Sequence, residues 1–156
     1  ELEVMSYSDP LTTLGNRYAM KRYIEQVDHT EPIGVVYCDI TGLKRINDSE
    51  GHSTGDRLIC RCCDCLKRVF EGNGMFRIGG DELGVLCTGI SEKEFYQKVE
   101  ELKTELAAHD VSMAVGAAVN TLEAVGKDHL LTESERRMYQ DKAEYYRSTG
   151  LDRRKI

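Results

Sequence analysis

The link between two short strand-like runs constrains this chain more than any other feature. Residues 75–78 and 83–87 read as strands, and only Gly79-Gly80-Asp81-Glu82 stands between them. A connection this short joins antiparallel neighbours, because a parallel pair needs a crossover of about a dozen residues or more. A purely parallel, doubly wound sheet is therefore excluded. The same link places two carboxylates in a tight turn, where the two glycines either supply positive φ or leave bare backbone for a ligand to lie against.

A first helix is expected from Asn16, a good N-cap, with Met20, Tyr23, Ile24 and Val27 on one face before Pro32 bounds it. Residues 33–38 form a β-branched run that fits a strand buried on both faces and ends in Asp39. A polar, glycine-containing loop follows. A helix then starts near Ser53 or Thr54, with Leu58, Ile59, Cys62, Leu66, Val69 and Phe70 on one side. Ser91 with Glu94 makes a capping box before a helix bearing Phe95, Val99, Leu102 and Leu106, and an alternating strand runs from Val111 to Val119. Thr132 with Glu135 makes a second capping box, ahead of a helix containing Met138, Tyr139, Lys142 and Tyr146. The order α-β-α-β-β-α-β-α predicts an α+β fold: an antiparallel or mixed sheet with flanking helices, of the split βαβ, ferredoxin-like kind. Residues 1–8 read as the end of an incoming helix and 9–156 as one domain, the output piece of a longer protein.

The net charge of −6 argues against nucleic acid as a partner, which calls for a basic stripe. No run of about 18 apolar residues appears and the start lacks signal-peptide character, so a cytoplasmic domain without direct membrane contact is expected, even if the full-length protein is anchored. Four of the six cysteines, Cys60, Cys62, Cys63 and Cys65, crowd one helix. Adjacent helical positions point in different directions and no second ligand pair follows, so they read as core packing rather than zinc ligands.

Two acidic loci remain, Asp39 and the Asp81-Glu82 pair. Each alone has an ordinary reading, as a strand end or an exposed turn. If the first strand lies beside the hairpin, all three carboxylates converge, an accumulation that calls for a cation. Magnesium is the expected one, with manganese as the alternative.

The blocks around these residues are Asp39-Ile-Thr-Gly-Leu-Lys-Arg-Ile-Asn-Asp-Ser-Glu-Gly-His-Ser-Thr-Gly-Asp56 and Arg77-Ile-Gly-Gly-Asp-Glu-Leu-Gly-Val-Leu86. With Asp9-Pro-Leu-Thr-Thr-Leu-Gly-Asn-Arg17 and the stretch from Met138 to Lys142, they closely resemble the GGDEF family of diguanylate cyclases. The resemblance implies a palm-type, nucleotidyl cyclase-like core that condenses two GTP into cyclic di-GMP and two pyrophosphates, as a transient homodimer of half-sites under an N-terminal sensory domain. It implies that Asp39, Asp81 and the carbonyl of Ile40 hold the metal with Glu82 in support, and that Asp81 takes the proton of the attacking 3′-hydroxyl. Lys44 would stabilise developing charge, and the backbone of Gly42 and Leu43 would meet the terminal phosphates together with Lys142. Asn47, His52 and Asp56 fall on guanine-pocket positions, and Gly79 and Gly80 on the nucleotide-facing turn.

Four departures bear on this. Leu83 replaces the signature phenylalanine, an apolar swap expected to alter packing and leave activity intact. Residues 70–73, Phe-Glu-Gly-Asn, stand where an Arg-x-x-Asp product-binding pattern would fall, so feedback inhibition there is not expected. Tyr146 occupies a place where the family often has a phosphate-contacting arginine. Ser134, Glu135 and Arg137 stand where small and aspartate residues are usual. The alternative function is a degenerate module that binds GTP or another guanine nucleotide and regulates a neighbouring domain. A metal-binding structural domain built on the cysteines ranks third.

Overall fold

The computed structural model describes residues 6–150. Ten elements follow one another: α1 (Arg17–Gln26), β1 (Pro32–Ile40), α2 (Leu43–Glu50), α3 (His52–Phe70), β2 (Gly74–Arg77), β3 (Glu82–Thr88), α4 (Glu92–Ala108), β4 (Met113–Thr121), α5 (Leu122–Val125) and α6 (Lys127–Thr149). The four strands form one sheet in the order β2-β3-β1-β4, every pair antiparallel. This is the expected split βαβ arrangement, with the strand from the acidic locus at the centre.

β1 is buried on both faces, as its unbroken apolar run requires. Val36, Cys38 and Ile40 belong to a core shared with α3 and α4, while Ile33 and Val35 join a second core with Met20 and Ile24 of α1 and Leu130 of α6. Strand alternation therefore turns Asp39 toward the α1 and α6 side. Cys62, Cys63 and Cys65 are buried in the α3–α4 core and Cys60 is half-buried.

The N-caps expected at Asn16 and Ser91 are present: Asn16 accepts from the Ala19 N–H and Ser91 from the Glu94 N–H. Other expectations need correction. The polar stretch after β1 is the helix α2, punctuated by Gly42 at φ 72° and Gly51 at φ 89°. Its Asn-Asp-Ser content imitates a turn, but Leu43 is buried and holds the segment on the core. α6 begins at Lys127, so Thr132 and Glu135 lie inside it rather than capping its start. Leu130, Ser134 and Met138 form a buried stripe at four-residue spacing that carries the helix upstream of Thr132. The capping threonine of this region is Thr121, whose hydroxyl accepts from the Ala124 N–H ahead of α5. Of the incoming segment, residues 1–5 lie outside the described residues, and Ser8 forms a bridge with Gly15 rather than a helical turn.

α6 seats closely on β4. A Cβ on Gly116 would stand 2.1 Å from the Met138 nitrogen and 2.3 Å from the Ser134 oxygen. Ser134 is fully buried beside this contact, and its hydroxyl donates to the Leu130 carbonyl at 2.8 Å. The outer edge of β4 is met by two side chains of α6: the Val115 N–H donates to Asp141 Oδ2 at 2.8 Å, and Arg137 donates to the Ala117 carbonyl at 2.7 Å. These bonds fix the helix along its axis, and with it Lys142.

Candidate functional site

Three carboxylates meet where β1 passes the hairpin. Asp39 pairs with Glu82 across the ladder, and the Asp81 carbonyl accepts from the Ile40 N–H at 2.8 Å. One carboxylate oxygen from each of Asp39, Asp81 and Glu82 lies within 4.8 Å of the others, the one such grouping of metal-ligating side chains among the described residues. Asp39 is only 5% exposed. Burial first, and then the Asp81 charge, push its pKa above the ordinary aspartate value, against the pull of Lys142, whose Nζ lies 3.3 Å from Asp39 Oδ2. Glu82 is raised in the same sense, by burial and then by Asp39, Asp81 and Glu135. A set of hard oxygen donors that repel one another fits a divalent cation such as magnesium or manganese. The carbonyl of Ile40 lies on the same edge of the strand as its N–H, the edge that meets the hairpin.

β1 delivers the chain directly from the acids into α2. The N-terminus of α2 has no side-chain cap, so its first N–H groups remain available to an anion, and Lys44 projects exposed from the first turn. Asn47 lies about 6 Å along the axis from Leu43. Its Oδ1 is buried without a donor and lies where a Cβ on Gly55 would fall, 1.7 Å away. The Asn47 carbonyl accepts from the Gly51 N–H at the corner that starts α3, and His52 and Asp56 stand exposed on that start. Asp39, the uncapped N-terminus of α2 and the polar side chains Asn47, His52 and Asp56 thus follow one another along the chain from the end of β1 to the start of α3.

The hairpin glycines resolve the two readings given to them. Neither has a positive φ. A Cβ on Gly80 would meet nothing within 4 Å, and one on Gly79 only the Glu82 side chain at 3.7 Å. They keep the turn bare rather than making it bend.

Lys142 stands at the acids as described, whereas Tyr146 is buried and Arg147 pairs with Glu144 at the surface. Leu83 is fully buried in the core below the site. The turn at 70–73 closes through Gly72 at φ 85° and carries no arginine.

Sequence reasoning missed the groups that hold the hairpin. Asp9 accepts from the Thr12 N–H and hydroxyl at 2.9 and 2.8 Å and pairs with Arg77 at 3.4 Å, and Arg77 donates to the Gly80 carbonyl at 2.9 Å. The Asp-x-x-Thr spacing was a visible signal of a local cap, but its partner Arg77 was not.

The comparisons with known proteins agree with this geometry. The family model described as "Diguanylate cyclase, GGDEF domain" matches residues 6–147. An uncharacterized protein in the hutH 5′ region of Streptomyces griseus is 30% identical over 93% of this chain and 63% of its own length. Diguanylate cyclase DosC of Escherichia coli is 33% identical over 71% of this chain and 28% of its own length. The chain thus spans less than two thirds of the curated relatives it matches. The GGDEF domain of DgcB from Caulobacter crescentus, solved in complex with c-di-GMP, superposes with a TM-score of 0.78 at 21% identity, covering 92% of this chain and 94% of that one, which speaks for the fold. Four antiparallel strands, an acidic hairpin beside the central strand and a family match across residues 6–147 lead to one conclusion: the chain belongs to the GGDEF domain family.

Proposed function

We propose that this domain is an active diguanylate cyclase that joins two GTP molecules into cyclic di-GMP and releases two pyrophosphates. The observation that carries the proposal is the meeting of Asp39, Asp81 and Glu82 within 4.8 Å at the rim that also bears the open N-terminus of α2. Asp39, Asp81, Glu82 and the Ile40 carbonyl would hold magnesium or manganese, which when bound neutralises phosphate charge. The protein supplies positioning, as phosphoryl transfer requires. The N–H groups of Gly42 and Leu43 receive the terminal phosphates, with Lys142 close by, and Lys44 stabilises charge on the departing pyrophosphate. Asn47, His52 and Asp56 orient the guanine, and a base that leaves their polar groups unpaired binds less well. The bare backbone of Gly79 and Gly80 lets the nucleotide lie against the turn.

In the chemical step the 3′-hydroxyl oxygen of one GTP attacks the α-phosphorus of the other. The O3′–P bond forms, the bond from α-phosphorus to the bridging oxygen breaks, pyrophosphate leaves, and the hydroxyl proton passes to Asp81. A second such step closes the ring. Each copy of the domain supplies one nucleotide, and a sensory domain preceding it in a longer protein governs their meeting.

One observation favours the binding-only alternative: Tyr146 is buried where a second phosphate-contacting cation is usual. Incubation of concentrated protein with GTP and magnesium, read by chromatography, separates the two readings. Cyclic di-GMP is expected from the wild type and none from Asp81→Ala, whose circular dichroism should match. GTP binding without product, even in an artificially dimerised protein, would leave the regulatory role.

A further inference from the structure

α6 lies over β4 and β1, and two successive residues of it serve different strands. Asp141 turns to the outer edge of β4, where its Oδ2 accepts from the Val115 N–H at 2.8 Å. Lys142 turns to β1, where its Nζ stands 3.3 Å from Asp39 Oδ2. Neighbouring helical positions differ by about 100° of rotation, so a bond at one sets the direction of the other.

Arg137, one turn earlier, donates to the Ala117 carbonyl at 2.7 Å. Four helical residues advance about 6 Å and two strand residues about 6.8 Å, so the two side chains step along the β4 edge in register. Their bonds have opposite polarity, since a carboxylate takes only the N–H and a guanidinium only the carbonyl. The close seat of α6 on Gly116 closes the neighbouring registers, because Ala114 and Ala118, two residues away on the same face, each carry the Cβ for which that seat has no room. Rotation about the helix axis is what the seat leaves to the side chains. Arg136 and Arg137 pair with Glu133, Arg147 pairs with Glu144, and Tyr146 is buried. Lys142 is thus the cation that α6 brings to the acids, and the bond that orients it is made by the residue beside it.

We propose that Asp141 is a positioning residue for the nucleotide: the bond it accepts from β4 fixes the rotation of α6, and so the point at which the Lys142 ammonium meets the terminal phosphates of GTP. The proposal rests on the nucleotide site of the cyclase reading. A side-chain tip about 6 Å from the helix axis moves by about 1 Å for a rotation of roughly 10°, enough to weaken a charged contact. Asp141 acts through Lys142 and not on the nucleotide.

The test measures, by calorimetry with magnesium, affinity for 3′-deoxy-GTP, which lacks the attacking hydroxyl, and for GMP, which lacks the terminal phosphates. Wild type is compared with Asp141→Ala, Asp141→Asn, Lys142→Ala and the double alanine variant. Circular dichroism at the working temperature establishes that each is folded, and Val99→Ala, which truncates a buried side chain of α4, controls for lost stability. Asp141→Ala is expected to bind 3′-deoxy-GTP about tenfold more weakly and GMP within about twofold of wild type. Asp141→Asn keeps an acceptor for the Val115 N–H and should restore wild-type affinity. Once Lys142 is alanine, Asp141→Ala should cost nothing further. Asp141→Glu, with the charge on a longer arm, is the variant to read should alanine not fold, and it should weaken 3′-deoxy-GTP binding by about threefold. Unchanged 3′-deoxy-GTP affinity in the variant read would overturn the proposal. So would an equal loss for GMP, or a loss that persists in the Lys142→Ala background or appears in Val99→Ala, because each would leave the aspartate a structural role alone. Cyclic di-GMP formation by wild type is read separately: its absence would sink the cyclase reading, and the double-mutant cycle would still decide the role of Asp141.

Discussion

Asp39 sets how the site responds to pH and metal. Burial and the neighbouring Asp81 charge hold its folded pKa above the ordinary value, and Glu82 moves the same way. A carboxyl whose pKa rises on folding adds stability below its unfolded pKa and loses that contribution as pH climbs through the folded one. Without divalent metal, wild type should therefore lose melting temperature relative to Asp39→Asn as pH rises above the ordinary aspartate value of about 4. With magnesium the order should reverse toward high pH, because the ion binds the ionised set and protons compete with it. Thermal melts of both proteins with and without magnesium check both signs. Gly55 gives a second test. Glycine to alanine inside a helix ordinarily stabilises by roughly 0.5–1 kcal/mol, but here the methyl would displace the Asn47 amide. Calorimetry on Gly55→Ala should show GTP affinity down by about tenfold and ATP affinity changed less. Asp39, Asp81 and Glu82 were legible from residue type and place at a strand end or turn. The packing of Asn47 against Gly55 was not, since it depends on the angle between α2 and α3.

The element that most governs the site is α6, because it carries Lys142 to Asp39 across the sheet. Its seat on Gly116 leaves no room for a Cβ beside the Met138 and Ser134 backbone. Gly116→Ala must lift the helix, and a loss of about 3 kcal/mol or more is expected, read as a lower denaturation midpoint at unchanged slope. Asp141→Ala strands the Val115 N–H and should cost about 1–3 kcal/mol. Asp141→Asn keeps an acceptor and should recover most of it. Helix faces were readable from periodicity at α1, α3 and α4, whose caps or breakers bound them. α2 and the first turns of α6 were not, because tertiary burial of Leu43 and Leu130 stabilises them against local turn and cap signals.

Across the whole molecule the cysteines report how tightly the two layers close on the sheet. Burial pushes the thiols of Cys62, Cys63 and Cys87 up to about 12 and raises Cys38 and Cys65 as well. With an aromatic disulfide reagent at about pH 8, half-buried Cys60 should react on mixing. The others should react only as the fold opens, so their rate should follow global stability. A second promptly reacting thiol would show that the α3 layer is looser than described. No helix among the described residues is long and apolar enough to cross a membrane. Residue order was enough to specify the antiparallel hairpin, the central buried strand and the two acidic loci, because turn length and hydrophobic period belong to contiguous residues. The meeting of Asp39 with Asp81, Glu82 and Lys142, the burial of Tyr146 and the close seat of α6 were decided by the folded molecule. Such distances depend on strand order and on how whole helices pack, which the burial of the entire core settles rather than any local run.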